Sequence, residues 1–266
     1  MSFLQLAVLA IVQGLTEFLP ISSSGHLILV PRLLGWPDQG LTIDVAAHIG
    51  TLAAVLMYFW RDVLHMLRGL LRLLRGKVDP GARLVLFLLV ATLPALLIGY
   101  LDDKYFAASF RSVGLVAGTM IGFAVVLFVA DRAGLTILRV EHMTFGQAIA
   151  IGLAQCIAFI PGVSRSGITM VAARFIGYER TEAARFSFLL SIPAILAAGL
   201  WKGYGLYRDG TDASLGDASI VAGISALTGL FAIAILMRWL RRWGFGPFVI
   251  YRLAFGGALL VWLFYR

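Results

Sequence analysis

The sequence predicts an all-α polytopic membrane protein with six transmembrane helices and two re-entrant helix–loop–helix hairpins, arranged as an inverted repeat within a single membrane domain over residues 1–266. Three observations support this fold class. Of the 266 residues, 60% are hydrophobic and 14% are charged, whereas soluble domains average about 25% charged residues. Several apolar runs approach the length of about 20 residues that crosses a bilayer. Two further apolar runs are each interrupted by a polar motif, and the two motifs resemble each other.

The first predicted element is a re-entrant hairpin. Residues 3–19 are apolar apart from a few polar side chains, and Pro20 ends this run. A second short run covers residues 27–34, and the sequence Ser-Ser-Ser-Gly at residues 22–25 separates the two. Neither run reaches about 20 residues. Because irregular backbone at membrane depth is tolerated only where protein or water covers it, the pattern predicts that the chain turns back inside the membrane.

The remaining apolar runs predict six spans and a second hairpin. Residues 146–160 and 168–176 form two short halves around the break Pro-Gly-Val-Ser-Arg-Ser-Gly. The predicted spans cover residues 46–60, 84–101, 113–130, 183–201, 220–239 and 248–264, and the first is extended upstream by residues 41–45. The two repeats, roughly residues 1–131 and 146–266, therefore each hold one hairpin and three spans.

The distribution of Lys and Arg predicts the orientation, because these residues accumulate in cytoplasmic loops. The loop after the first span carries Arg61, Arg68, Arg72, Arg75, Lys77 and Arg83. The alternate loops carry Arg132, Arg139, Arg180, Arg238, Arg241 and Arg242. Both termini are therefore predicted outside, with the first hairpin entering from the outside and the second from the cytoplasm. The same bias explains the net charge of +8, so no nucleic-acid partner is expected.

The two polar motifs repeat one another. Residues 13–26 read QGLTEFLPISSSGH and residues 155–167 read QCIAFIPGVSRSG. Both contain Gln, eight residues, Ser, one residue, Ser and Gly, and they begin 142 positions apart. Ionisable groups at bilayer depth are costly, which makes them functional candidates. Inverted repeats with broken helices place binding sites near the membrane midplane.

The residue types in the motifs favour an anion site. Free N–H groups and the helix dipole at a helix N-terminus attract anions, and the candidate residues there are Ser22, Ser24, Gly25, Ser164, Ser166 and Gly167. Arg165 adds a planar fork of donors suited to phosphate oxygens. Gln13 and Glu17 are four residues apart and share one helix face, and His26 opens the next helix. Together these residues predict a phosphate site beside a carboxylate.

Structural alternatives exist for each candidate. Serines in membrane helices often bond only the carbonyl one turn back, and Ser-Gly pairs also mark tight helix packing. The repetition of the motif, with an arginine in the second copy, favours function. Asp44 and His48 are also four apart and suit either a metal or, more simply, a hydrogen-bonded pair. Arg174 and Arg185 flank the second hairpin, and we expect them to snorkel to the interface.

At these residues the sequence resembles the bacterial undecaprenyl-diphosphate phosphatase family, which is linked to bacitracin resistance. The resemblance is carried by QGLTEFLPISSSGHL at residues 13–27, PGVSRSG at residues 161–167 and FSFLLSIPAILAAG at residues 186–199. The similarity in length, span count and motif order covers essentially the whole chain. The two motifs together are highly specific, whereas SSSGH alone is a weak signal.

The resemblance implies a hydrolase in the bacterial cytoplasmic membrane, with its active site open to the outer, periplasmic side. It would remove the terminal phosphate from a C55 prenyl diphosphate, which recycles the carrier for peptidoglycan synthesis. Position by position, Ser23 matches the nucleophile, His26 the base, Arg165 the diphosphate-binding arginine and Glu17 an acidic residue of the family motif. A divalent cation, Mg²⁺ or Ca²⁺, is the implied cofactor. Family members often carry Glu where this chain has Gln13. In this chain the expected ligands of the cation are therefore Glu17 and oxygen atoms of the substrate.

Several alternatives remain open at this point. Attack by Ser23 through a phosphoserine and direct attack by water fit the same residues. A transporter or flippase of lipid-linked phosphate would use the same hairpins, but transport needs only the anion-binding half of the site, so Glu17, Ser23 and His26 favour hydrolysis. The expected partners are the prenyl diphosphate and membrane lipid, and a homodimer is left open.

Overall fold

The computed structural model describes residues 1–105, 112–134, 136–210 and 213–265, and their regular structure is helical. The helices are α1 (Phe3–Phe18), α2 (Ser23–Leu34), α3 (Gly40–Tyr58), α4 (Trp60–Leu73), α5 (Pro80–Tyr105), α6 (Val113–Ala133), α7 (Phe145–Gln155), α8 (Arg165–Ile176), α9 (Arg180–Asp209), α10 (Leu215–Leu240) and α11 (Gly246–Phe264). Short 3₁₀ turns lie at Val140–His142 and Cys156–Phe159. No β-strand occurs in the described ranges, which confirms the all-helical prediction.

Six of these helices are long and apolar enough to cross a membrane, as predicted. They are α3, α5 over Pro80–Leu101, α6, α9 over Arg180–Arg208, α10 and α11. The first span begins at Gly40, which agrees with the upstream extension over residues 41–45, and α9 extends through Pro193 to a length of 30 residues. The multi-pass membrane prediction is therefore confirmed at the level of helix length and apolarity.

Helix α4 was predicted as part of a basic loop, and this prediction was wrong. Trp60–Leu73 is helical directly after α3, because its apolar residues recur at helical spacing between the arginines. The helix packs against α5 through the buried residues Met66 and Gly69. A Cβ atom at Gly69 would lie 2.2 Å from the backbone nitrogen of Ala82, so only glycine permits this close approach.

Four helices, α1, α2, α7 and α8, are too short to cross a bilayer alone, with 11 to 16 residues each. The pairs α1–α2 and α7–α8 match at the offset of 142 residues. Ser2 and Gln5 form a capping box at the start of α1, as Thr144 and Gln147 do for α7. The left-handed glycine that ends α2 is Gly35, and the one that ends α8 is Gly177. The sequence repeat therefore extends to the starts and ends of both pairs.

The breaks of the two pairs lie against each other. Ser166 donates from its hydroxyl to the carbonyl of Glu17 at 3.1 Å. Arg252 of α11, which is fully buried, donates to the carbonyl of Pro20 at 3.1 Å and to that of Gly162 at 2.6 Å. One side chain from the last helix therefore bonds to both breaks and holds them together.

The snorkelling expected of Arg174 was wrong. Its side chain is 1% exposed and donates to the carbonyls of Asp131 at 3.3 Å and Gly134 at 2.9 Å, where α6 ends, and to that of Tyr178. Free carbonyls at a helix C-terminus accept such donors favourably. Arg185 is likewise engaged, in ion pairs with Asp62, Glu141 and Glu182.

Candidate active site

The turn into the second helix of each pair is built on a serine with an unusual backbone. Ser22 has φ 74° and Ser164 has φ 80°, and no other non-glycine residue in the described ranges has positive φ. Such a conformation costs about 1–3 kcal/mol and clusters at functional sites. Each hydroxyl accepts from a backbone N–H of the following helix, that of Gly25 at 3.3 Å and that of Gly167 at 3.1 Å.

Both turns repeat a second contact as well. Ser22 and Ser24 hydroxyls lie 3.2 Å apart, and so do those of Ser164 and Ser166. The residue between each pair of serines is the one that differs, Ser23 in the first turn and Arg165 in the second. The two turns therefore present the same scaffold with different chemical groups at their tips.

Glu17 is the point where the two motifs meet. Its carboxylate is buried, and Oε2 accepts from Ser23 Oγ at 2.7 Å and from Gln13 Nε2 at 3.2 Å. Its other oxygen, Oε1, accepts from Arg165 Nη2 at 2.9 Å. The structure thus places four of the residues singled out from the sequence in one hydrogen-bonded cluster, with the arginine supplied by the opposite repeat.

Arg165 is held by contacts that the sequence did not reveal. Its Nη1 donates to the carbonyl of Ser187 on α9 at 3.3 Å. Below it, the hydroxyls of Thr169 and Ser187 lie 2.7 Å apart. These contacts join α8 to α9 and orient the guanidinium toward Glu17. Thr169 and Ser187 are ordinary polar positions in apolar runs of the sequence, so only the fold identifies their role.

His26 is placed differently from the expectation. Its Nδ1 lies 2.7 Å from the carbonyl oxygen of Ser22, and its Nε2 lies 2.6 Å from the hydroxyl of Tyr251. Because a carbonyl only accepts, Nδ1 carries a proton, and in the neutral ring Nε2 accepts from Tyr251. The ring also stacks on Phe255. The Ser23 hydroxyl bonds to Glu17, so the proton transfer to His26 expected from the sequence is not the contact that the structure describes.

His48 lies beside the cluster, although the sequence associated it with Asp44 instead. Its Nε2 is 3.8 Å from Glu17 Oε2, and its Nδ1 bonds to the carbonyl oxygen of Asp44 at 2.8 Å. The carboxylate of Asp44 accepts instead from Gln39 Nε2 at 2.9 Å. His48 therefore faces Glu17 rather than pairing with the Asp44 side chain, and an ionisable residue within a predicted span was the only signal for it.

The residues around Glu17 fit a divalent cation that is shared with substrate. No cluster of three or more His, Cys, Asp or Glu side chains occurs in the described part of the chain. Gln13 Oε1, however, is buried without a hydrogen-bond partner next to the Glu17 carboxylate. Carboxylate and amide oxygens are ligands of hard cations, and Mg²⁺ sites often use few protein ligands plus substrate phosphates.

The similarity to known proteins extends over nearly the whole chain. The family model described as "Bacitracin resistance protein BacA" matches residues 6–258. The chain is 51% identical over 269 residues to undecaprenyl-diphosphatase 1 of Rhodospirillum rubrum, covering 98% of this chain and 95% of that one. It is 51% identical over 266 residues to the undecaprenyl-diphosphatase of Maricaulis maris, covering 98% and 99%. The identity to the undecaprenyl-diphosphatase of Hahella chejuensis is 46% over 265 residues, covering 99% of both chains.

Proposed function

The chain belongs to the family of the bacitracin resistance protein BacA, and from this membership we propose how its polar cluster works. The protein is an undecaprenyl-diphosphatase, a multi-pass membrane enzyme that hydrolyses undecaprenyl diphosphate to undecaprenyl phosphate and phosphate. This reaction recycles the lipid carrier. We assign its individual steps to the residues that surround Glu17.

The contact between Ser23 and Glu17 is the observation that carries the assignment. A nucleophilic serine is recognised by a base within about 2.6–3.2 Å whose orientation is fixed by a third group. Ser23 Oγ donates to Glu17 Oε2 at 2.7 Å, and Arg165 holds the other carboxylate oxygen. Binding of a phosphate for transport alone does not need such a pair. We therefore assign Ser23 as the nucleophile and Glu17 as its proton acceptor.

In the proposed first step, Ser23 Oγ attacks the terminal phosphorus while its proton passes to Glu17. The bond from that phosphorus to the bridging oxygen breaks, and undecaprenyl phosphate leaves with the bonding electrons. Water then attacks the phosphoserine, Glu17 returns its proton to Ser23 Oγ, and the released phosphate carries both hydrogens of the water. Direct attack by water on the diphosphate uses the same base and remains the alternative route.

Arg165 and the two helix N-termini stabilise the charge that moves during these steps. The guanidinium presents a planar fork of donors to phosphate oxygens. When it binds the incoming diphosphate, it releases Glu17 Oε1, and the carboxylate becomes free to accept a proton. In this scheme the N–H groups at the starts of α2 and α8 stabilise the negative charge that the transferred phosphoryl group gains. This exchange of partners by Arg165 couples substrate binding to activation of the base.

A divalent cation held by Glu17, with Gln13 as the adjacent oxygen donor, would neutralise charge on the diphosphate when bound. His26 has a positioning role in this scheme. By bonding to the carbonyl of Ser22, it holds the positive-φ turn that presents Ser23. Its link to Tyr251 fixes the ring relative to α11.

We further propose that α1–α2 and α7–α8 are re-entrant hairpins of an inverted repeat, and that the site opens to the periplasm. Their lengths and the shared offset of 142 residues support the two hairpins. The basic residues of α4 and of the loop after α10 support a cytoplasmic location for those segments. With that orientation both termini lie in the periplasm.

Phosphate release from farnesyl diphosphate by detergent-purified protein tests these roles. Loss of a general base costs about 10²–10⁴-fold, so we expect the rate of phosphate release by Glu17→Gln to fall by at least that range. The rate of Ser23→Ala should fall at least as far, because this variant lacks the nucleophile. Acid quenching with substrate labelled in the terminal phosphate should leave label on the wild-type protein and none on Ser23→Ala. Wild-type turnover without any labelled protein would replace the phosphoserine route by direct water attack. A wild-type protein that binds the diphosphate without turnover would refute the enzyme assignment.

A further inference from the structure

We propose that His48 supplies a nitrogen ligand to the divalent cation at Glu17, so that the cation site of this chain is a Glu–His pair completed by Gln13 and substrate oxygens. This ligand rests on the cation proposed above and extends its site from α1 to a second helix, α3. It would make the site favour Mn²⁺ and similar transition-metal ions over Ca²⁺, because imidazole is a ligand of transition metals whereas Ca²⁺ prefers oxygen.

The separation between His48 Nε2 and Glu17 Oε2 is 3.8 Å. It exceeds the length of a charge-assisted hydrogen bond, which is about 2.7–2.9 Å. Two metal–ligand bonds of about 2.1 Å each span up to about 4.2 Å between the ligand atoms. The two atoms are thus too far apart to share a proton well, and close enough to share a metal ion.

The imidazole of His48 has the direction that a metal ligand needs. Nδ1 bonds to the carbonyl oxygen of Asp44 at 2.8 Å, so Nδ1 carries the proton and the lone pair of the neutral ring is on Nε2. Metal-binding histidines commonly donate their other ring N–H to a backbone carbonyl in this way. The lone pair of His48 and a carboxylate oxygen therefore face the same space, and a cation between them would satisfy both.

Gln13 brings an unpartnered oxygen to the same place. Its amide nitrogen donates to the same Glu17 Oε2 that faces His48, while its Oε1 is buried with no hydrogen-bond partner. Half a turn about the last torsion of the side chain exchanges the two atoms and brings the carbonyl oxygen toward Glu17. An amide oxygen so placed is a ligand for a cation, and a bound cation would give this buried oxygen the partner that it lacks.

The accessibility of the pair agrees with a site that substrate completes. The side chain of His48 is 39% exposed, whereas that of Glu17 is 6% exposed. The proposed site therefore lies at the boundary between the buried cluster and the accessible surface, where diphosphate oxygens can fill the remaining positions. Arg165 bonds to the opposite carboxylate oxygen, Oε1, so it does not lie between Glu17 Oε2 and His48.

Pulsed EPR of Mn²⁺ bound to the full-length protein in detergent tests the proposal, with and without methylenediphosphonate as a diphosphate that is not hydrolysed. We expect ¹⁴N coupling from a directly bound imidazole in the wild type. The coupling should persist in His26→Gln and in the distant control His142→Gln, and should disappear in His48→Gln. The affinity for Mn²⁺ should fall at least about tenfold in His48→Gln, while that for Ca²⁺ changes much less.

Three outcomes would overturn this ligand assignment: no Mn²⁺ binding in either condition, Mn²⁺ bound without ¹⁴N coupling, or coupling that survives in His48→Gln. The last outcome together with loss in His26→Gln would assign the ligand to His26. His48→Asn, tested alongside, guards against a folding defect specific to one variant. Phosphate release is measured on the same wild-type sample, so that the two proposals can fail independently. Nitrogen coupling without turnover would refute the proposed function and leave His48 as a metal ligand.

Discussion

The ion pair between Glu17 and Arg165 joins the two repeats, and its removal from either side should destabilise the protein strongly. The side chains are 6% and 17% exposed and their atoms lie 2.9 Å apart. Loss of one member of a buried pair leaves an uncompensated charge and typically costs about 3–5 kcal/mol. We therefore expect Arg165→Met and Glu17→Gln each to lose about 3 kcal/mol or more of unfolding free energy.

The variant that combines both substitutions measures the coupling energy between Arg165 and Glu17. With both charges removed, no buried charge remains unpaired, so Arg165→Met/Glu17→Gln should recover most of the loss, with a coupling energy of about 3 kcal/mol. Equilibrium unfolding in mixed micelles, followed by circular dichroism, measures it. The exposed pair Arg72–Asp79, whose arginine side chain is 60% exposed, is the matched control and should couple by less than about 1 kcal/mol.

The double variant should also stay inactive although it is stable, because it lacks both the base and the phosphate-binding arginine. A coupling below about 0.5 kcal/mol, the level of independent sites, would refute the reasoning that these two charges hold the repeats together. Recovery of phosphate release in the double variant would refute their catalytic assignment instead. The two measurements therefore judge the structural and the chemical role separately.

Three further changes test other parts of the site. At Ser164, where φ is 80°, alanine keeps the unfavourable backbone and loses the helix cap, whereas glycine relieves the backbone; Ser164→Ala should be less stable than Ser164→Gly by about 1 kcal/mol or more in the same unfolding assay, and the reverse order would contradict backbone strain at this turn. Arg252→Met should destabilise the protein by several kcal/mol, since each buried carbonyl left without a donor costs about 1–3 kcal/mol, and a thermal midpoint equal to that of the wild type would show that Arg252 does not brace the two breaks. Tyr251→Phe keeps the stacked ring and removes one neutral hydrogen bond to His26, so phosphate release should fall less than about tenfold; a loss of more than about a hundredfold would place Tyr251 on a proton pathway.

The long helices of this fold can be predicted from the sequence, because the hydropathy of the chain identifies them directly. Six apolar runs with few charged residues become the six long helices, and the spacing of Gln13 and Glu17 places both on one helix face. The approach of Arg165 to Glu17 could also be predicted from the sequence, because the motif is repeated and the broken helices of inverted repeats meet at a shared site. Helix α4 was missed since its arginines resemble a cytoplasmic loop when only charge is counted.

Several of the contacts that the sequence did not predict join residues far apart in the chain. His26 meets Tyr251 and Arg252 meets Pro20 across more than 220 positions, and nothing local in either segment identifies its partner. His48 was assigned to Asp44 because four residues separate them on one helix, but the structure turns its ring toward α1. Local periodicity establishes which face a residue occupies, whereas tertiary packing decides which group it meets there.

The bonds from Arg252 to both breaks also constrain the order in which this protein is made. The first motif leaves the ribosome long before Arg165, which neutralises Glu17, and longer still before Arg252, which satisfies the carbonyl of Pro20. Until then α1 holds a charge and free carbonyls that hydrocarbon does not tolerate. We therefore expect α1 and α2 to wait at the membrane surface during synthesis and to enter only as the second repeat and α11 arrive. Assembly of the active site is then the last event of membrane insertion, so a chain truncated before α11 would lack a catalytic centre even with every residue of both motifs present.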